Sequence, residues 1–170
     1  KPIEELYDCD ADPNNVRNLI STNLSKETSE ILSALRKELI DYRESVGDLG
    51  ALPESEMRRW VKTEGSPMRD IVIGNTDHSP NLKRAWAAAD RVGSKNSKQL
   101  LKLLKNGNVD ERYWAAISLR NGFFDDVNIH QNVSKWMNDV APSVRIEIAA
   151  WLAFFPDQRG VALDKLVEDL

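Results

Sequence analysis

Between Ser25 and about Tyr42, apolar residues fall at Ile31, Leu32, Leu35, Leu39 and Ile40, with Lys26, Glu27, Glu30, Arg36, Lys37 and Glu38 in the gaps. That spacing gathers the apolar side chains on one face of a 3.6-residue period and predicts an amphipathic helix. The pattern before it is different. Ile3 to Asp8 contains the strand formers Leu6 and Tyr7 and runs into an Asp/Pro/Asn turn at Pro13, so this stretch is expected to be extended. Gly47 to Pro53 reads as a loop. "PESEMRRW" (53 to 60) reads as a short helix, because proline suits a first turn and Glu54 suits the positive end of the helix dipole. Residues 63–78, rich in glycine and proline, are expected to be a loop-rich connection and the soft domain boundary.

Beyond that connection the pattern repeats. Laying "LLKLLKNGNVDERYWAAISL" (100 to 119) over "VSKWMNDVAPSVRIEIAAWL" (133 to 152) at an offset of 33 matches Arg112 with Arg145, Ala116 with Ala149 and Leu119 with Leu152. Leu100 then falls on Val133, Leu103 on Trp136 and Leu104 on Met137. Each unit reads as helix, polar turn, helix, and a period of this size marks stacked helical pairs. "SPNLKRAWAAADRVG" (79 to 93) has the Ser-Pro start and glycine stop of another second helix. "LDKLVEDL" (163 to 170) opens a further first helix with Leu163, Leu166, Val167 and Leu170 on one face. Asp139 stands six residues before Arg145, and Asn106 six before Arg112. With the alanine-rich helices that follow, these turn residues resemble the HEAT repeat over about 79–170. The resemblance implies that the Asp/Asn and Arg positions link neighbouring units. The expected fold is all-α: a HEAT-like α-solenoid of helical hairpins, preceded by the extended segment and the amphipathic helix.

The 170 residues are 41% hydrophobic and 29% charged, enough for a globular core of one domain or a small pair. The formal charge of −4 argues against a surface built throughout for nucleic acid or anionic membrane. No apolar run approaches the roughly 20 residues of a membrane span. Cys9 is the one cysteine, so neither an internal disulfide nor a cysteine-rich zinc site is expected.

"ELYDCDADPNNVRNLI" (5 to 20) resembles a segment near the C-terminus of type I, formylglycine-dependent sulfatases, with Glu5, Leu6, Tyr7, Asp8, Asp12, Pro13, Asn18 and Leu19 in the family's positions. Cys9, Asn15 and Ile20 depart from it mildly. "DLGALPESEMRRW" (48 to 60) resembles an extension of sulfatases that carry helical repeats after the catalytic fold. The resemblance implies that residues 1–62 end a C-terminal subdomain, with a strand leading into the 25 to 42 helix. It implies a parent enzyme, periplasmic or extracellular, that hydrolyses sulfate esters or sulfamates with a formylglycine and a calcium ion. Formylglycine is made from the cysteine of a C-x-[PA]-x-R motif, and Cys9 is followed by Asp10, Ala11, Asp12 and Pro13 instead. The sequence starts at Lys1 rather than methionine and reads as a processed chain or excised piece, with the catalytic domain expected upstream. No catalytic residue, cofactor ligand or metal ligand is therefore assigned within the 170 residues.

Other signals have plainer readings. Asp8, Asp10 and Asp12 have the alternation of a calcium loop, but Pro13 stands where its glycine belongs and Leu19 where its glutamate belongs, which favours a simple turn. His78 and His130 lack ligand partners at useful spacing and read as solvated loop residues. Trp86, Trp136 and Trp151 read as packing between helices. Trp114 is set apart as an exposed aromatic, because its repeat equivalent is Glu147. Lys83, Arg84, Arg91, Lys95, Lys98, Lys102 and Lys105 stand against the single acid Asp90. Such a stretch is either a solvated helix face or a docking surface for a sulfated polysaccharide or the parent's own catalytic domain. Three functions stay open: the non-catalytic end of a sulfatase, a free-standing HEAT-repeat module that binds another protein, and, disfavoured by the acidic balance, a HEAT-like DNA glycosylase.

Overall fold

The computed structural model describes residues 4–21, 23–74, 79–122 and 126–168, and the regular elements in them are all helical. The chain divides into two compact units, Lys1–Val46 and Gly47–Leu170.

In the first unit Glu4 to Tyr7 run without regular secondary structure, so the expected strand does not form among the described residues. The segment is held by side chains instead of a ladder. Asn18 Oδ1 accepts from Leu6 N (3.0 Å) and Ile20 N (3.1 Å), Asn18 Nδ2 donates to Glu4 O (3.2 Å), and Leu19 N donates to Leu6 O (2.8 Å). A 3-10 turn at Leu19–Ser21 leads to α1, Lys26–Val46. Ser25 starts that helix, its Oγ accepting from Thr28 N at 3.1 Å. Arg36 of α1 reaches back to Glu4, its Nε donating to Oε1 at 3.0 Å, and this bond holds the Glu4 carboxyl below its ordinary range. Leu32 is the buried residue of α1, while Ile31, Leu35, Leu39, Ile40, Tyr42 and Val46 are 47% to 62% exposed.

The second unit begins with a 3-10 turn at Leu49–Ala51 and continues through α2 (Glu54–Glu64), α3 (Met68–Gly74), α4 (Ser79–Ala89), α5 (Ser97–Asn106), α6 (Val109–Asn121), α7 (Val127–Val133), α8 (Pro142–Leu152) and α9 (Arg159–Glu168). The stretch expected as a loop-rich connection thus contains α3, which packs on α2 and buries Ile71 with Trp60, Leu82 and Ala85. Pro67 precedes this helix and Gly74 ends it, so neither breaks it. α4 ends in a turn that needs Gly93, whose φ is +85°.

α6 is the central element, packed against α4, α5 and α8, with α9 against α8. The residues matched by the 33-residue offset share one fate: Leu100 and Val133, Leu104 and Met137, Ala116 and Ala149, Leu119 and Leu152 are all buried in a single apolar cluster. The turns match less closely: Arg112 Nη1 donates to Gly107 O at 3.0 Å, whereas Arg145 Nη1 donates to Asp139 O at 2.8 Å and more weakly to Val140 O, the equivalent of Gly107, at 3.4 Å. Asp139 also takes two bonds from Arg112, Nε to Oδ2 and Nη2 to Oδ1, each 2.8 Å.

The two pairs differ in their first helix. α5 is continuous, whereas its counterpart is α7 followed by a 3-10 turn, Ser134–Asn138. Ser134 Oγ donates back to Gln131 O at 2.9 Å, the local bond with which serine competes against α-helical pairing. α9 departs from expectation as well. It starts at Arg159 and buries Ala162, with Leu166 packed beside it, while Leu163 and Val167 face solvent. Leu170 lies outside the described residues.

Candidate functional site

The seven cations read as one surface have different places in the structure. Arg84 on α4, Arg91 just past it and Lys102 on α5 line one open groove of about 260 Å³ with Gln99, Leu103, Asn106, Gly107 and Glu111. Lys95 is outside that lining, its Nζ donating to Gly122 O at 2.8 Å. Lys83, Lys98 and Lys105 are likewise outside it.

Local structure sets the groove. Asn96 caps α5 by accepting from Gln99 N at 3.2 Å. Asn108 and Glu111 form a capping box on α6, with Glu111 N donating to Asn108 Oδ1 (2.9 Å) and Asn108 N to Glu111 Oε2 (2.8 Å). The same Glu111 oxygen lies 2.6 Å from Arg84 Nη2, so the carboxylate that starts α6 also neutralises one of the groove's arginines. Gly107 is required between α5 and α6 by space: a Cβ there would stand 2.5 Å from Leu103 O and 2.7 Å from Glu111 Cβ. Arg91 Nε donates to Ala87 O at 3.1 Å. Sequence reasoning found Arg84, Arg91 and Lys102, named Asn106 only as a turn residue, and missed Glu111 and Gln99. The Asn-x-x-Glu signature at 108 to 111 is the signal that locates Glu111.

Trp114 is not the exposed aromatic expected from its pairing with Glu147. It is partly buried against the Ala51, Leu52 and Trp60 cluster, and its Nε1 donates to Ala51 O at 2.6 Å. The equivalence holds for another reason, since Glu147 also turns inward and pairs with Arg120 at 2.9 Å. Trp86 Nε1 donates to Asp48 O (2.9 Å) and Trp136 Nε1 to Leu104 O (3.1 Å), so these indoles each tie a helix to an earlier backbone carbonyl.

His130 is not a solvated loop residue. It is buried on α7, its ring 3.6 Å from that of Phe155 and edge-on to Trp151 at 5.4 Å. No strong apolar period announces α7, which is why the sequence reads there as loop. His78 lies outside the described residues. The aspartates of the opening turn do not converge on an ion site. Asp8 Oδ1 accepts from Asp10 N and Ala11 N, both at 3.1 Å, and Asp12 Oδ2 accepts from Arg17 N at 2.7 Å. Cys9 is exposed. Among the described residues no group of three or more His, Cys, Asp or Glu could hold a metal ion, and no helix is long and apolar enough to cross a membrane.

One buried acid was not foreseen. Asp110, in the first turn of α6, is pushed up to about 6 by burial and then by the charge of Glu56, with Arg59, Glu111 and Arg112 also acting on it. Glu56 is itself buried and paired with Arg59 at 2.8 Å, and Asp110 Oδ1 has no hydrogen-bond partner.

Over 70 residues the chain is 44% identical to an ulvan-active sulfatase of Formosa agariphila, a match covering 40% of this chain and 11% of that protein. The chain thus spans a small fraction of the relative's length. No protein-family model matches the chain, and no solved structure matches it. A region of the chain is related in sequence to part of a sulfatase.

Proposed function

We propose that this chain is the non-catalytic carboxyl-terminal part of a sulfatase, in which residues 1–62 complete the catalytic body and residues 79–170 are a HEAT-like array serving interaction, assembly or substrate access. The 44% identity to a sulfatase carries the reading. The motif residues support it by what they do. Asp8, Asp12 and Asn18 spend their side chains on backbone amides, as residues that shape a segment rather than react would. The stripe Ile31, Leu35, Leu39, Tyr42 and Val46 supports it as well, since it runs exposed along one side of α1 and fits the apolar surface of a larger fold. In the second unit, Asp139 bridging Arg112 and Arg145 supports the HEAT-like reading, because it joins the turn of one helical pair to the next.

The parent enzyme would hydrolyse sulfate esters or sulfamates, periplasmic or extracellular, with its formylglycine and calcium in the catalytic domain. The coding sequence before Lys1 tests this. A C-x-[PA]-x-R motif a few hundred residues upstream supports the reading, and a start codon adjacent to residue 1 rejects it in favour of a free-standing protein-binding module. The chain alone, with added calcium, should not turn over an aryl sulfate; measurable turnover would overturn the non-catalytic assignment.

A further inference from the structure

We propose that the groove between α4 and α5 is a subsite for a sulfate group carried on an acidic polysaccharide. The groove has net positive charge where it is open to a ligand. Glu111 offsets Arg84, but no carboxylate pairs with Arg91 or Lys102 among the described residues. Arg91 is braced by its Nε bond to Ala87 O, which leaves its two terminal nitrogens uncommitted. The side-chain amides of Gln99 and Asn106 line the same space. A sulfate monoester presents one negative charge and three acceptor oxygens, and a guanidinium fork, an ammonium and two amides match that inventory. Charge-assisted bonds of this kind are the strong ones.

Size and surroundings narrow the ligand class. At about 260 Å³ the groove falls below the roughly 300–1,000 Å³ of enclosed small-molecule pockets, so it suits one substituted group of a longer chain. Lys98, Lys102 and Lys105 follow at i, i+4 and i+7 on α5, all exposed, which extends positive potential along one helix face for further sulfates. Single-stranded nucleic acid offers similar anions, but its binding uses aromatic platforms. No aromatic side chain lines the groove, and Trp86 and Trp114 are bonded into the packing instead. The choice of sulfate over phosphate rests on the sulfatase reading; the anion subsite itself does not.

The test is calorimetric titration of the whole chain at low salt with dextran sulfate, with unsulfated dextran and an oligothymidylate as competing classes. Dextran sulfate should bind, weaken steeply as salt rises, and outcompete both others. The pair Arg91→Ala and Lys102→Ala should weaken it by about tenfold or more, given the size of hydrogen bonds to charged groups. Lys102→Arg should bind like the parent. Glu111→Gln, which keeps the capping box, should tighten binding several-fold by freeing Arg84. Lys62→Glu on α2 changes charge away from the groove and should matter little. Circular dichroism of each variant verifies folding. No binding of dextran sulfate, an unchanged affinity in the folded double variant, or an equal loss with Lys62→Glu overturns the subsite. Oligothymidylate binding as tightly as dextran sulfate overturns the sulfate assignment. A start codon before Lys1 with groove-dependent dextran sulfate binding intact would sink the sulfatase reading alone.

Discussion

α1 and α6 bury their residues in opposite ways. α1 is 21 residues long with a clean amphipathic pattern, yet only Leu32 among its residues is buried. α6 has 13 residues and little amphipathic pattern, yet buries Asp110, Ala115, Ala116, Ile117, Ser118 and Leu119. A helix covered on several sides needs no polar stripe, and α6 is covered by α4, α5 and α8. A helix with an apolar stripe that its own unit does not cover keeps a face able to pack against something else. The contrast separates a helix stabilised by its neighbours within one unit from a helix whose apolar side is left uncovered within its own unit.

The largest effect should come from the internally stabilised region. Asp139→Ala leaves the Arg112 guanidinium, only 16% exposed, without its carboxylate, and breaking such a buried pair costs about 3 kcal/mol. Urea unfolding should show a lower midpoint with an unchanged slope, and an unchanged midpoint would show that the turns do not tie the helical pairs together.

Asp110→Asn should act in the other direction. A carboxyl whose pKa is pushed up to about 6 in the folded chain, from an ordinary value of 3.8, binds its proton more tightly when folded. Its contribution to stability therefore falls as pH rises from about 4 through about 6 and stays lower above that. The variant should be more stable than the parent at pH 7 by on the order of 1 kcal/mol, with the difference vanishing near pH 4. A variant less stable at pH 7 would mean that the α6 dipole outweighs the burial of the charge.

Trp114→Phe keeps most of the packed ring and removes the bond to Ala51 O, so it should cost about 1 kcal/mol in the same assay. The smallest effect belongs to the exposed stripe. Leu35→Glu with Leu39→Glu should change the stability of the chain by no more than about 0.5 kcal/mol, as surface substitutions do, while abolishing stable assembly of the proposed full-length sulfatase. A large loss of stability in the chain alone would place those side chains in an internal core.

Much of the helical plan was legible because its signals are local and periodic. The 33-residue offset located buried pairs such as Leu104 and Met137, and the Arg112, Asp139 and Arg145 positions that bond around the turns. What was not legible depends on contacts distant in sequence. α3 hides among glycine and proline and is held by Trp60 and Ala85. His130 reads as polar until Trp151 and Phe155 close over it. Trp114 reads as exposed until Ala51, 63 residues away, accepts its indole proton. The basic stretch was legible as charge, but which cations share a groove depended on how α4 and α5 both pack on α6 and on the carboxylate of Glu111.

Amide hydrogen exchange along α1 and α6, measured in this chain alone and again in the proposed full-length polypeptide, shows whether the α1 stripe is covered by a surface beyond these residues. Expected is fast exchange over 26–46 in the isolated chain, strong protection there in the full-length protein, and protection over 109–121 in both. Equal protection of 26–46 in the two samples would contradict it.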